Sequence, residues 1–355
     1  MKILNKYLYK KLLIYLLVIL PSVSFVSILV ELIELLRKTK EINVFYILMY
    51  AFYKMPEKVY LILPVSSVIV FALLARDLIN SKEIYPILLN GISLRKLFSI
   101  FLVFAIFLSL FQVLNLEFLL PVSEKKAEVI YRKLRHKTEK EKNFIAFNTW
   151  ITLDKKTFMY FDVLDFNTQT GKNITIIRLN DDFKPVLRIE GKSFLISKNK
   201  IVINTGKIID LKNVFSFKIT TFNTYPFFMN LDLNEFKKLV EVKKPVSLRQ
   251  LYKTARIAEK YGYPSSYYWS RFFSKLSTVF SPLILSIAVY PFIWKQRKEN
   301  IGIIVILILL YWYGTGFLTS IAESNVIPYF AVLSMDIIYI FVGLLFLRKL
   351  QFIEF

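Results

Sequence analysis

The chain has 355 residues, of which 55% are hydrophobic and 16% aromatic, and its 48 Lys and Arg against 26 Asp and Glu give a net charge of +22. The apolar excess is gathered in runs of about 20 residues, the length a helix needs to cross a hydrocarbon layer, which excludes an ordinary soluble protein. The absence of Cys excludes disulfides and cysteine chemistry, and the single His leaves little room for a histidine metal site.

Six apolar runs predict transmembrane helices, three on each side of a long insert. They fall near residues 12–36, 57–79, 97–120, 272–294, 301–320 and 328–347. The first run follows four lysines and could be a signal peptide, with Ser-Val-Ser at 22–24 as the cleavage site. Because the apolar pattern continues to Leu36, past the length of a signal-peptide core, we expect a retained anchor.

The insert differs from the apolar runs in composition. It consists of short β-branched and aromatic runs separated by Asn, Asp, Gly and Lys. Phe158–Phe166 and Phe194–Ile203 are typical of strands and hairpins, so we expect a small all-β domain. Its tail, Ser247–Tyr261, has helical spacing, with Ser247 as the N-cap and Gly262 as the stop. We therefore divide the chain into a transmembrane half at 1–120, a β domain with connectors at 121–270 and a second transmembrane half at 271–355.

The distribution of Lys and Arg predicts the orientation. With the N-terminus in the cytoplasm, 13 basic residues of the short loops lie inside: Lys2, Lys6, Lys10, Lys11, Arg76, Lys82, Arg95, Lys96, Lys295, Arg297, Lys298, Arg348 and Lys349. The short loops on the other side hold five: Arg37, Lys38, Lys40, Lys54 and Lys58. The positive-inside rule thus places both termini in the cytoplasm and the β domain outside.

The basic excess is shared between the insert and these short loops. Residues 121–270 hold 28 basic and 15 acidic residues, a net charge of +13. We interpret the charge as membrane topology and an outer surface suited to an anionic lipid, and we expect no nucleic-acid partner.

Five segments together resemble one family. They are IELLRKTK at 33–40, MPEKVYLILPVSSVIVFALLARDL at 55–78, SKEIYPILLNGIS at 81–93, YWSRFFSKLS at 268–277 and IPYFAVLSMD at 327–336. In order and spacing the chain resembles the LptF/LptG (YjgP/YjgQ) permeases of the lipopolysaccharide-exporting ABC transporter. Lys275 stands where relatives often have proline, and Glu31 where some LptG members have lysine, so both LptF and LptG stay open.

The resemblance implies a fold, a location and partners. It implies an α-helical inner-membrane protein with six transmembrane helices, both termini cytoplasmic, and an inserted periplasmic β domain of jellyroll-like form. The expected partners are an LptB-like ATPase dimer, the LptF or LptG counterpart, LptC-like and LptA-like bridge proteins, lipopolysaccharide and membrane lipid. ATP is expected on the partner ATPase, with no cofactor or metal in this chain.

The loop at 76–96 is the candidate coupling element. Glu83 is followed by Ile84, Ile87 and Leu88 at helical spacing and by Gly91 as the stop, which predicts a short amphipathic helix. The resemblance implies that it docks into the ATPase. The alternative is that Glu83 only complements a helix N-terminus. Pro86 would either start this helix or kink it.

A cluster of charges at the outer ends of the spans is the candidate substrate site. Arg and Lys there could bind the phosphates of an anionic lipid, or could reach ordinary headgroups as long side chains commonly do. We favour substrate binding and include two acids of the first span. The predicted residues are Arg37, Lys38, Lys40, Arg271, Lys275, Glu31 and Glu34.

Asp336 is an acid within the sixth span. A charge at the centre of a membrane costs about 2.5–3.5 kcal/mol on insertion scales, so we expect this residue to face protein or a water-filled cavity. Structural pairing or cavity lining is the favoured role, with a proton-coupled role as the alternative.

Enzymatic function is the competing class. No G-x-x-x-x-G-K-[ST] loop is present, Gly171-Lys172 being an isolated pair, so the sequence predicts no ATP hydrolysis by this chain. A membrane enzyme or a scaffold acting on a lipid carrier of the cell envelope is the alternative function. An ATPase that co-purifies with the chain would distinguish a transporter from both.

Overall fold

A computed structural model describes residues 2–37, 43–134, 145–166, 168–197, 200–212, 218–228, 247–260, 264–294 and 298–350. The described residues form two compact units. One lies within 1–138, 246–251 and 266–355, and the other within 139–245 and 252–265.

In the described part of the chain, six helices are long and apolar enough to cross a membrane, which confirms the six predicted spans. The N-terminal elements are α1 (Lys2–Arg37), α2 (Val44–Asn80), α3 (Ile84–Leu89), α4 (Leu94–Leu114), a π-helical turn (Asn115–Leu119) and α5 (Leu120–Leu134). The C-terminal elements are α6 (Leu248–Lys260), α7 (Ser266–Ile293), α8 (Lys298–Glu323), a 3₁₀ turn (Tyr329–Leu333) and α9 (Ser334–Lys349).

Three of the helices begin at polar caps. The side chain of Asn43 accepts a hydrogen bond from the backbone N–H of Tyr46 at 3.2 Å, before α2. Ser93 caps α4 in the same way, and Ser247 accepts from the N–H of Gln250 at 3.2 Å, so the predicted cap of α6 is confirmed. Each cap satisfies an N–H that has no acceptor inside its helix.

Proline interrupts the hydrogen bonding of α2, and a neighbouring helix compensates. Pro64 has no N–H, so the carbonyl of Tyr60, four residues earlier, lacks its helical donor. Gln112 of α4 donates its Nε2 to this carbonyl at 2.8 Å. The third span is thereby tied to the second by the atom that the proline leaves free.

The core of the membrane unit lies where α1, α2, α4 and α7 meet. Phe101, Tyr290 and Trp294 are among its largest fully buried side chains. The hydroxyl of Tyr290 donates to the carbonyl of Leu94 at 2.6 Å, which gives a buried polar group its partner.

The second unit contains a six-stranded antiparallel sheet in sequential order. Its strands are β1 (Ile145–Asp154), β2 (Thr157–Asp165), β3 (Thr170–Leu179), β4 (Pro185–Ser197), β5 (Lys200–Asp210) and β6 (Lys218–Phe228). The prediction of a helical membrane protein with an inserted all-β domain is confirmed.

The sheet has one apolar face, as the alternation of side chains requires. Met159 and Phe161 of β2 are fully buried, whereas Tyr160 between them is only partly buried. Phe161 pairs with Ile174 of β3, and Phe194 of β4 packs against the ring of Phe161 at a centroid distance of 6.1 Å. Aromatic and β-branched side chains thus fill the interior of this domain.

Candidate substrate and coupling sites

A network of charges joins the C-terminal part of α1 to α2. The carboxylate of Glu31 accepts a hydrogen bond from the hydroxyl of Tyr50 at 2.7 Å and lies 2.6 Å from the ammonium of Lys58. Lys54 lies 3.9 Å from the same carboxylate. The acid of α1 is therefore compensated by two lysines of α2.

The network continues to α5 and lines a small cavity. The ammonium of Lys54 lies 2.6 Å from a carboxylate oxygen of Glu57 and 3.8 Å from one of Glu124. Beside it is a cavity of about 330 Å³, lined by Glu31, Glu34, Leu35, Tyr50, Lys54, Glu124, Ala127, Glu128 and Tyr131. The predicted Glu31 and Glu34 thus line the same cavity. Two further carboxylates, those of Glu124 and Glu128, and the ammonium of Lys54 line it with them.

The predicted cations occupy several places. Arg37 is exposed in the last turn of α1, and Lys38 and Lys40 lie outside the described residues. Arg271 of α7 donates from Nε to Glu323 of α8 at 2.7 Å, and its guanidinium lies 4.2 Å from the ring centroid of Tyr267.

Lys275 is partly buried one turn after Arg271. Its backbone carbonyl accepts a hydrogen bond of 3.5 Å from the hydroxyl of Tyr60 on α2. Arg271 and Lys275 thus belong to the contacts of α7 with α8 and α2, whereas Glu31 and Glu34 belong to those of α1 with α2 and α5.

A large apolar groove was not foreseen from the sequence. It has a volume of about 1110 Å³ and is lined by α1, α2, α7 and α8: Val23, Leu61, Ile62, Val65, Val68, Ile69, Ala72, Leu73, Arg76, Phe292, Ile293, Ile301, Ile304, Val305, Ile308, Leu309, Trp312 and Tyr313. Among these lining residues Arg76 alone carries a charge. Ligand pockets commonly span roughly 300–1,000 Å³, so this groove is large enough for the apolar part of a lipid.

The predicted coupling helix forms, and its apolar side faces inward. Ile84 and Ile87 are buried, and Leu88 packs against the same membrane core. The exposed residues are Tyr85, with 41% of its surface accessible, Leu89, with 87%, and Pro86. The three apolar residues predicted for coupling therefore fasten α3 to its own chain, and Tyr85, Pro86 and Leu89 form its exposed side.

The prediction that Pro86 starts the helix is wrong. The helix begins at Ile84, so Pro86 is its third residue, and a kink at Pro86 stays a prediction. The first turn of a helix has N–H groups without an internal acceptor, so a proline there costs no hydrogen bond. Gly91 ends the element with a φ of +75°, a left-handed conformation that glycine adopts without strain.

Glu83 precedes α3, but its side chain makes no capping hydrogen bond to the helix. Instead its carboxylate accepts from the hydroxyl of Tyr7 at 2.8 Å and from the ammonium of Lys11 at 3.1 Å. Lys11 also donates to Asp77 of α2 at 2.7 Å. This cluster could not be predicted from the sequence, because its two halves, Tyr7 with Lys11 and Asp77 with Glu83, lie more than 60 residues apart along the chain.

Asp336 is buried and paired within the membrane unit. Its carboxylate accepts from the hydroxyl of Ser277 at 2.7 Å and from that of Tyr311 at 2.9 Å. It therefore faces protein, as a charge in an apolar span should. Among the described residues, no group of three or more His, Asp or Glu is placed to hold a metal ion.

Comparison with protein families gives one informative match. The model of the family described as lipopolysaccharide export system permease LptF/LptG matches residues 6–349, nearly the whole chain. No curated protein matches the chain.

Proposed function

The chain belongs to the LptF/LptG family of lipopolysaccharide export permeases, and on this premise we propose that it forms one transmembrane half of an ABC transporter. It is a multi-pass inner-membrane permease. We propose that it pairs with its LptF or LptG counterpart, that an LptB-like ATPase dimer binds and hydrolyses the ATP, and that this chain itself holds no cofactor. LptC-like and LptA-like proteins would receive the lipid and form the periplasmic bridge.

The apolar groove is the observation that carries this proposal. Its walls come from the first, second, fourth and fifth spans, and it is almost wholly apolar over a volume of about 1110 Å³. The acyl chains of a lipid would transfer into such a groove at low cost, because apolar surface stays out of water. In the proposed transporter, two such grooves face each other, and lipid enters between α1 of one subunit and α8 of the other.

The charged residues near the insert would bind the phosphates of the substrate. Arg37, Lys38, Lys40, Arg271 and Lys275 supply cations, of which Arg can fork onto phosphate oxygens and Lys acts as a point charge. Glu31 and Glu34 would hold neighbouring lysines in place. This arrangement requires both termini in the cytoplasm and the β domain in the periplasm, in agreement with the 13 to 5 distribution of basic residues in the short loops.

The 76–96 loop would receive the motion of the ATPase. Tyr85 and Leu89 would contact the ATPase, while Ile84, Ile87 and Leu88 fix α3 to the membrane helices and Gly91 permits the chain to turn into α4. ATP-driven closure of the ATPase dimer would then favour the conformation with a collapsed groove, a coupling between two distant sites.

Purification of the full-length chain from its native membrane in mild detergent tests the proposal. We expect a second permease of the same family, an ATPase with a phosphate-binding loop and lipopolysaccharide to be recovered with it. Recovery of the intact chain with lipid but without any ATPase, under conditions that preserve other ABC transporters, would instead favour the enzyme or scaffold alternative.

A further inference from the structure

A single lysine connects α1 to both sides of the turn that leads into the coupling helix. Lys11 lies 2.7 Å from Asp77, near the end of α2, and 3.1 Å from Glu83, just before α3. Tyr7, one helical turn earlier, adds a hydrogen bond of 2.8 Å to Glu83, and the Lys11 ammonium lies 4.7 Å from its ring centroid. We call Tyr7, Lys11, Asp77 and Glu83 the loop clamp.

Lys11 lies beside buried residues of α1, and its charge pairs are themselves partly buried. Its neighbours Leu8 and Leu12 are fully buried in the core that also contains Ile84, so this side of α1 and the coupling helix pack into the same core. The side chain of Lys11 is 20% exposed, and those of Asp77 and Glu83 are each 37% exposed. Partly buried charge pairs with charge-assisted hydrogen bonds are stronger than ion pairs in open solvent.

Beyond Leu12, few residues of α1 are buried. Its buried residues after Leu12 are Ser24, Ile28 and Leu35, and Val23 faces the apolar groove. At the other end Glu31 is held by Lys58. The helix that forms a wall of the groove is therefore fastened by polar contacts near its two ends, and the loop clamp is the attachment nearest the coupling helix.

We propose that Lys11 is a positioning residue for transport, which makes α1 follow the coupling loop when the ATPase displaces α3. This inference rests on the proposed function and extends it, because it adds a contact within the chain to the part that Glu83 has in the coupling element. Without the Lys11 side chain, α3 would still present its exposed side to the ATPase, but its movement would be passed less fully to the wall of the groove, since only Tyr7 would still hold Glu83.

The test compares three variants of the full-length chain in the complete transporter, reconstituted in proteoliposomes with lipopolysaccharide. Lys11→Met removes the charge, Lys11→Arg keeps it, and Lys10→Met removes an exposed charge from the adjacent position. Three quantities are measured: recovery of the ATPase, ATP hydrolysis, and lipopolysaccharide transferred per ATP hydrolysed.

We expect Lys11→Met to keep ATPase recovery and hydrolysis while the lipid transferred per ATP falls about tenfold, within the range of allosteric couplings. Lys11→Arg should restore most of this yield, and Lys10→Met should leave it unchanged. If Lys11→Met fails to insert, Asp77→Asn replaces it, with the same expectation and a smaller loss because Glu83 still pairs with Lys11.

Two results would overturn the inference. One is an unchanged yield per ATP in Lys11→Met, or in Asp77→Asn if that variant takes its place. The other is a parallel loss of ATPase recovery and hydrolysis, which would assign these residues to docking. Failure of the proposed function looks different, because then the unmodified chain recovers no ATPase and transfers no lipid.

Discussion

Gln112 of α4 makes a buried hydrogen bond to the backbone of another helix, α2. It donates to the Tyr60 carbonyl freed by Pro64, while its own Oε1 is buried without a hydrogen-bond partner among the described residues. Burial of an unpaired acceptor costs about 1–3 kcal/mol, so the pairing of Nε2 must offset part of that cost. The contribution of Gln112 to the free energy of unfolding should therefore depend on the presence of Pro64.

A double-mutant cycle measures this dependence. Pro64→Ala supplies the missing N–H, so Gln112→Leu should cost about 1 kcal/mol less free energy of unfolding in the Pro64→Ala background than in the native one. Denaturant unfolding of the purified protein in detergent gives the four values. Pro56→Ala is the matched control, since Gln112 does not contact the carbonyl that Pro56 frees, and an equal coupling with either substitution would contradict the interpretation.

Arg37 provides a second prediction at the scale of a residue. A photocrosslinking amino acid at position 37 should capture lipopolysaccharide in native membranes, because this exposed position ends α1 where we place the phosphates. The same amino acid at the exposed position 10, at the opposite end of α1, is the control. Equal capture at both positions would indicate general contact with lipid and would count against a substrate site near Arg37.

At the scale of elements, α3 allows a test of the proposed contact with the ATPase, because few of its residues are exposed. Leu89→Glu should abolish recovery of the ATPase with the chain, since a charge would be buried in the proposed interface. Leu89→Met keeps an apolar side chain of similar volume and should retain the ATPase. Undiminished recovery with Leu89→Glu, in a chain that still inserts and pairs with its counterpart, would show that α3 does not dock through this residue.

The same element shows what periodicity can and cannot predict. The apolar spacing of Ile84, Ile87 and Leu88 correctly predicted a short helix, but spacing does not tell whether an apolar stripe faces the chain's own core or a partner. The six spans were predicted because hydropathy reports directly on the lipid environment. The polar extension α5 was missed because its turns are helical without being uniformly apolar. The start of α2, residues 44–53, is apolar but is separated from the predicted span by Lys54, Glu57 and Lys58.

The candidate site was only partly accessible from the sequence. The presence of cations near the outer ends could be predicted, but their pairing could not, since Arg271 and Glu323 lie 52 residues apart along the chain. The apolar groove could not be predicted from the sequence for a different reason. Apolar residues that face a substrate cavity and those that face bulk lipid have the same composition, and only the packing of helices separates them.

At the scale of the whole molecule, the net charge of +22 divides by location. The two chain termini and the short loops assigned to the same side carry the basic residues that predict orientation, and one of these residues, Lys11, also belongs to the loop clamp. The lysines of α2 near the insert are compensated by Glu31, Glu57 and Glu124. In the proposed transporter, coupling takes place at one end of the helices and contact with the lipid phosphates at the other.

The central claim is that this permease converts ATP hydrolysis on a partner into extraction of lipopolysaccharide. The most direct measurement is transfer of lipopolysaccharide from proteoliposomes containing the complete transporter to a soluble LptA-like acceptor. We predict transfer that requires ATP and stops when the phosphate-loop lysine of the ATPase is replaced. Absence of transfer from an assembled complex that hydrolyses ATP at its normal rate, with the acceptor present, would contradict the account.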